Sequence, residues 1–209
     1  MGAIFITAVA VAFSGAVMPG PLLTYTIRQA LVRGPKAGFI IILGHALLEL
    51  ALVVLIFMGF DAILQSNAAQ VAIGLVGGLL LAYMGGDMVV GALRNRVKID
   101  LEGGGGSRGM VLSGIAISAM NPYFLLWWAI IGLGFLLQAY KGFGVWGVCV
   151  FFLGHIAVDF LWYGFVSTLI GKTRRFIGQT PYRIIVGVLG GVLLYFGITF
   201  FANAINALR

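Results

Sequence analysis

The sequence predicts an all-α polytopic membrane protein of six transmembrane helices, arranged as a 3+3 inverted-topology repeat. Three observations predict it. The first is composition: 61% of the 209 residues are hydrophobic and 9% are charged, with a mean hydropathy of +1.10. A soluble domain carries about a quarter of its residues as charges. The second is the length of the apolar stretches. A membrane-spanning helix needs roughly 20 apolar residues, and six stretches reach that length, at Ala3–Thr26, Gly38–Phe60, Ala68–Leu93, Gly109–Leu137, Val145–Ile170 and Tyr182–Ala204. The third is an internal repeat. Gly44, His45 and Glu49 recur as Gly154, His155 and Asp159, and Gly74, Gly77 and Gly78 recur as Gly187, Gly190 and Gly191. Met18–Pro21 stands in the first stretch where Met120–Pro122 stands in the fourth. Each half has three spans, an odd number, so the halves enter the membrane in opposite directions, as in many secondary transporters.

The first stretch reads as a span rather than a signal peptide. It lacks a basic leading region, and its apolar run is too long. Basic residues then orient the chain. Arg28, Arg33 and Lys36 lie in the first loop, Arg94, Arg96, Lys98 and Arg108 in the third, and Lys172, Arg174, Arg175 and Arg183 in the fifth. Only Lys141 and Arg209 remain for the other side. Positive charge marks the cytoplasmic side, which puts loops one, three and five in the cytoplasm of a cell-membrane protein and both termini outside. The same bias accounts for the net charge of +7 without a nucleic-acid partner. The domain division follows: a first repeat over 1–94, a cytoplasmic linker over 95–108 and a second repeat over 109–209. The glycine run Gly103–Gly106 in the linker follows no strand and lacks the Lys-Ser/Thr of a phosphate-binding loop.

Each span type carries its own signal. In the first, Pro19, Gly20 and Pro21 interrupt the helix, because proline removes an intrahelical hydrogen bond and glycine relaxes the backbone. In the fourth, Asn121-Pro122 reads as an N-cap followed by the first helical position. Two half-helix N-termini inside the membrane offer free amides and partial positive charge to an anionic group such as a substrate carboxylate; a plain proline kink is the alternative. In the second and fifth spans, His45 with Glu49 and His155 with Asp159 are four residues apart and share a helix face. A charged side chain at the bilayer centre costs on the order of 3 kcal/mol by insertion scales and faces the bundle interior or water. Histidine changes charge near neutral pH, so these four residues are candidates for coupling a proton or binding a cation; an inter-helix lock is the structural alternative. The glycines of the third and sixth spans allow close packing within the chain, and also allow a homodimer. Asp87, seven residues before Arg94, is expected near the cytoplasmic membrane surface, paired with a basic residue. Trp127, Trp128, Trp146 and Trp162 are expected in an aromatic belt.

Several chemistries are set aside. Cys149 is the only cysteine, which excludes an intrachain disulfide or a thiolate cluster. His45 and Glu49 form no HExxH zinc-protease motif, and GxSxG is absent. The sequence therefore reads as a non-enzyme with no cofactor. Whether the four polar residues bind a metal stays open.

With these residues in view, the chain resembles the L-lysine exporter (LysE/RhtB) family of small amino-acid exporters. The resemblance rests on Pro19-Gly20-Pro21, the basic loop with Gly34-Pro35-Lys36-Ala37-Gly38, Glu49, the glycine-rich third span ending in Tyr83 and Gly85, the basic linker, and Asn121-Pro122. It covers essentially the whole chain. It implies proton- or potential-driven export of basic or neutral amino acids and their derivatives, with partners limited to a small-molecule substrate and the lipid bilayer. Two alternatives stand beside it: a divalent-cation exporter using the His/carboxylate set, and a membrane scaffold whose polar residues only join helices.

Overall fold

A computed structural model describes residues 1–17, 20–60, 67–96, 107–176 and 178–207. All regular structure among them is helical: α1 (Gly2–Ala16), α2 (Pro21–Arg33), α3 (Ala37–Leu55), α4 (Asn67–Leu93), α5 (Ser107–Ala119), α6 (Pro122–Trp127), α7 (Leu133–Thr173) and α8 (Gln179–Asn206). A π-helical turn, Ile56–Phe60, extends α3, and another, Trp128–Gly132, joins α6 to α7. Pro19, within the first expected break, and most of the linker, 97–106, lie outside the described residues.

Among the described residues, four stretches are long and apolar enough to cross a membrane: Ala37–Met58, Gly74–Leu93, Leu133–Thr173 and Gln179–Asn206. The first expected stretch is two helices, α1 and α2, bent by 76° and counting together as a fifth span if taken as one. The fourth is also divided. Helix α5 ends at Ala119 and α6 starts at Pro122, so neither piece has spanning length alone. Helix α7 has non-helical backbone at Phe143 and Gly144, the glycine at φ +58°. The chain reverses there: Gly147 lies against the Ala139 carbonyl, and Phe135 stacks on Phe151. The arms 133–142 and 145–173 therefore run antiparallel.

Glycines set how closely the helices approach. Helices α4 and α8 pack antiparallel over their length. A Cβ on Gly78 would lie 2.8 Å from the Gly197 carbonyl oxygen, and one on Gly190 would lie 2.9 Å from that of Gly85. These glycines recur seven residues apart on each helix, two turns, and so make one backbone-to-backbone seam. Gly44 meets the Val111 carbonyl and Gly114 the Ile41 carbonyl, which crosses α3 over α5 at contact distance. Gly38 sits against the Tyr163 carbonyl and Ser167 of α7. The expected packing use of glycine is thus intramolecular at Gly74, Gly77, Gly78, Gly187 and Gly190, whereas Gly191 has nothing within 4 Å.

Helix ends are closed by identifiable partners. Helix α2 stops at Gly34, whose φ of +88° favours glycine. The Arg174 guanidinium lies over this glycine and donates to the Val32 carbonyl. Ser167 Oγ donates to the Pro35 carbonyl at 2.8 Å. Helix α4 ends with Asn95 at φ +56°, and the Arg96 amide reaches back to Gly91 O at 2.9 Å, a Schellman-type finish. Arg183 Nε donates to the Ala92 carbonyl at 3.2 Å. The expected pairing of Asp87 with a basic residue is not seen among the described residues: Asp87 is exposed on α4, and it takes part in none of the ion pairs.

The α4–α8 seam generates a prediction. Replacing Gly78 or Gly85 by Leu forces the two backbones apart and lowers the melting temperature in detergent, by an overpacking cost of about 1–3 kcal/mol. Gly191→Ala, which fills open space, leaves it unchanged. Equal melting temperatures for all three variants would refute the seam.

Candidate functional site

The two His/acid pairs come together. His45 and Glu49 lie one turn apart on α3, and His155 and Asp159 one turn apart on the second arm of α7, as the four-residue spacing requires. The helices run antiparallel, so each histidine faces the other helix's acid. His45 Nε2 lies 3.2 Å from Glu49 Oε1 and 3.9 Å from Asp159 Oδ2. His155 Nε2 lies 3.1 Å from Glu49 Oε1 and 3.5 Å from Asp159 Oδ2. All four residues are buried, Glu49 to 1% exposure and Asp159 to 4%. A buried charge needs partners, and this set supplies them across two helices.

Neighbouring helices complete the surroundings. Trp128 Nε1–H donates to Glu49 Oε1 at 3.0 Å. A hydrogen bond of 2.8 Å joins His45 Nδ1 and Ser118 Oγ. Trp127 and Trp128 pack beside the His155 ring with centroids 4.9 and 5.2 Å away, and Phe124 meets the His45 ring edge-on at 5.1 Å. Satisfaction is incomplete. Glu49 Oε2, Asp159 Oδ2 and His155 Nδ1 are buried with no hydrogen-bond partner.

The cluster forms part of the wall of a cavity of about 340 Å³, within the size range of small-molecule sites. Seven of the nine residues singled out from sequence line it: Gly20, Pro21, His45, Glu49, Asn121, His155 and Asp159. Pro19 lies outside the described residues, and Pro122 takes the first helical position of α6. Gly20 is the extended N-cap of α2, without a side-chain cap, which leaves amides of the first turn without intrahelical acceptors. The α6 end differs. Asn121 Oδ1 accepts from the Tyr123 amide at 3.1 Å, so one donor expected to be free there is taken.

Sequence reasoning missed Trp128 and Ser118. The belt expectation is corrected for Trp128, which is 1% exposed and bonded to Glu49, and for Trp127, which lines the cavity. Trp146 is 74% exposed. The π turn and Gly132 let Trp128 in, since a Cβ on Gly132 would come within 2.6 Å of the indole.

Several spanning-length apolar helices around a cavity that four buried ionisable residues help to line define a polytopic membrane protein. The family model of LysE type translocators matches residues 13–204, and the chain belongs to that family. It is a multi-pass membrane exporter of small molecules, in a family of transporters rather than enzymes. Neither the curated proteins nor the solved structures compared with the chain give a match.

Trp128→Phe keeps the ring and removes the donor to a buried carboxylate. Leaving such an acceptor short of a partner costs about 1–3 kcal/mol. The variant is expected to melt below the wild-type protein in detergent, while Trp146→Phe does not. If W128F melts no lower than W146F, the bond to Glu49 is not a structural constraint.

Proposed function

We propose that the chain is a secondary active exporter of amino acids or related small cationic or zwitterionic metabolites, working by alternating access between two inverted three-helix repeats. The single observation that carries this reading is the shared cavity. Its wall includes the helix start at Gly20-Pro21 and the helix break at Asn121 together with Glu49 and Asp159. A zwitterion presents the matching charges. Its carboxylate suits the amide-rich helix starts, and its ammonium group suits the two acids, held in place by His45 and His155. The acids also offer a place for the coupling proton, with the proton gradient or the membrane potential driving the flux.

The six-span arrangement draws support from the reversal at Phe143–Gly144, which divides α7 at the boundary between the fourth and fifth apolar stretches. It also draws support from the pairing of equivalent residues, His45 and Glu49 from one half with His155 and Asp159 from the other. In this reading the protein sits in the cell membrane with both termini outside, and loops one, three and five, which hold eleven of the 13 basic residues, face the cytoplasm. Export then proceeds as one repeat rocks against the other around the cavity.

The test is transport by purified protein in proteoliposomes with an imposed pH gradient, using amino acids that raise its melting temperature. The double variant Glu49→Gln, Asp159→Asn is expected to lose gradient-driven flux while remaining folded. Wild-type flux in that variant would remove the two acids from the mechanism.

A further inference from the structure

The polar cluster has a geometry that hydrogen bonding alone does not use well. Both histidine Nε2 atoms face the same two carboxylate oxygens, at 3.1, 3.2, 3.5 and 3.9 Å. In a tetrahedral site with bonds of about 2.0–2.1 Å, ligand atoms are separated by ~3.3 Å. The four observed edges bracket that value. His45, Glu49 and Asp159 place one ligand atom each within 4.8 Å of one another; His155, the fourth candidate, lies outside that mutually close set, 3.1 Å from Glu49 and 3.5 Å from Asp159. Two more observations point to a bound cation. Glu49 Oε2 and Asp159 Oδ2 are buried acceptors with no hydrogen-bond partner, on side chains more than nine-tenths buried.

We propose that His45, Glu49, His155 and Asp159 form a binding site for a divalent transition-metal ion of the zinc class. Charge favours it. Two carboxylates, two neutral imidazoles and one divalent cation sum to zero, so the filled site carries no net charge into an apolar interior. Donor type favours it as well. An N2O2 set of imidazole and carboxylate suits a borderline ion such as Zn²⁺ or Co²⁺, whereas Mg²⁺ and Ca²⁺ prefer oxygen alone. Outer partners orient two of the ligands, His45 and Glu49. With its Nδ1–H given to Ser118 Oγ, His45 presents an Nε2 lone pair to the ion, and Trp128 fixes the Glu49 carboxylate through Oε1. The site goes beyond the exporter reading: the ion occupies the place of the substrate's cationic group, and its binding is measurable without any transport.

The experiment is a Co²⁺ titration of the tag-free, full-length protein in detergent, followed by visible absorption and by Zn²⁺ competition. The expected result is one Co²⁺ per chain with the intense bands of a tetrahedral ion, displaced by Zn²⁺ and retained in Cys149→Ser. The bands should vanish in Glu49→Gln and in His155→Gln. Ser118→Ala removes no ligand and should keep the stoichiometry while weakening affinity about 10–100-fold, which covers the case in which a ligand variant fails to fold. Absence of tetrahedral bands in the wild-type protein, their persistence in E49Q or H155Q, their loss in C149S, or an unchanged affinity in S118A would each overturn the site. None of those failures bears on amino-acid flux, and a failure of that flux leaves the Co²⁺ result standing.

Discussion

Two carboxylates buried in an apolar bundle constrain everything around them. Glu49 and Asp159 sit on different helices, and neither can reach water along its own. Each needs cationic or hydrogen-bonding partners from elsewhere, and the partners available are the two histidines and Trp128. This fixes the antiparallel register of α3 against the second arm of α7. A shift of one residue turns each side chain by about 100° around its helix and separates the pairs. The register is supported at the other end of the contact, where Gly38 lies against Ser167 and Ser167 holds the Pro35 carbonyl.

The second constraint is backbone proximity. Inside a bilayer, apolar side chains gain little by leaving lipid for one another, so helices associate through close packing and polar contacts. The protein divides these between regions. Helices α4 and α8 use glycine at Gly78, Gly85, Gly190 and Gly197 and bring backbone against backbone. Helices α3 and α7 carry the charged cluster. Helix α5 links the two systems, with Gly114 at the Ile41 carbonyl and Ser118 bonded to His45. The polar site thus lies where helices are held by specific contacts, away from the small-residue seam.

Parts of this arrangement were legible in the sequence because single residues carry large penalties. A histidine and an acid four apart in an apolar run have few places to go, and the two pairs do meet. Proline after Gly20 or Asn121 ends a helix by chemistry alone, and both positions are helix starts lining the cavity. The glycine seam was half legible. Closeness followed from composition, but the facing glycines are those seven apart, and Gly191 of the conspicuous triplet has no neighbour. Trp128 was illegible for a physical reason. An indole suits a membrane interface and also serves as a buried donor, and composition does not distinguish the two. The choice was made by the Asn121 break and by Gly132, which lacks the Cβ that would exclude the ring.

The break and the cluster therefore depend on each other. Helix α6 is only six residues long and passes straight into a π turn, a form found mostly as single-turn bulges and often at functional sites. Trp127 closes α6 and Trp128 opens the π turn, and both contact the His155 ring. Without the interruption at Asn121, α5 would continue on its own axis, and its Ser118 contact to His45 would dictate where Trp128 points. With it, Ser118 serves His45 from one side of the break and Trp128 serves Glu49 from the other. One interrupted helix thereby supplies partners to both residues of the α3 pair and, through Asn121, lines the cavity they face. Within the four-residue cluster, the polar atoms without a hydrogen-bond partner are Glu49 Oε2, Asp159 Oδ2 and His155 Nδ1, so the partners supplied by the interrupted helix leave part of the cluster's polar capacity unused.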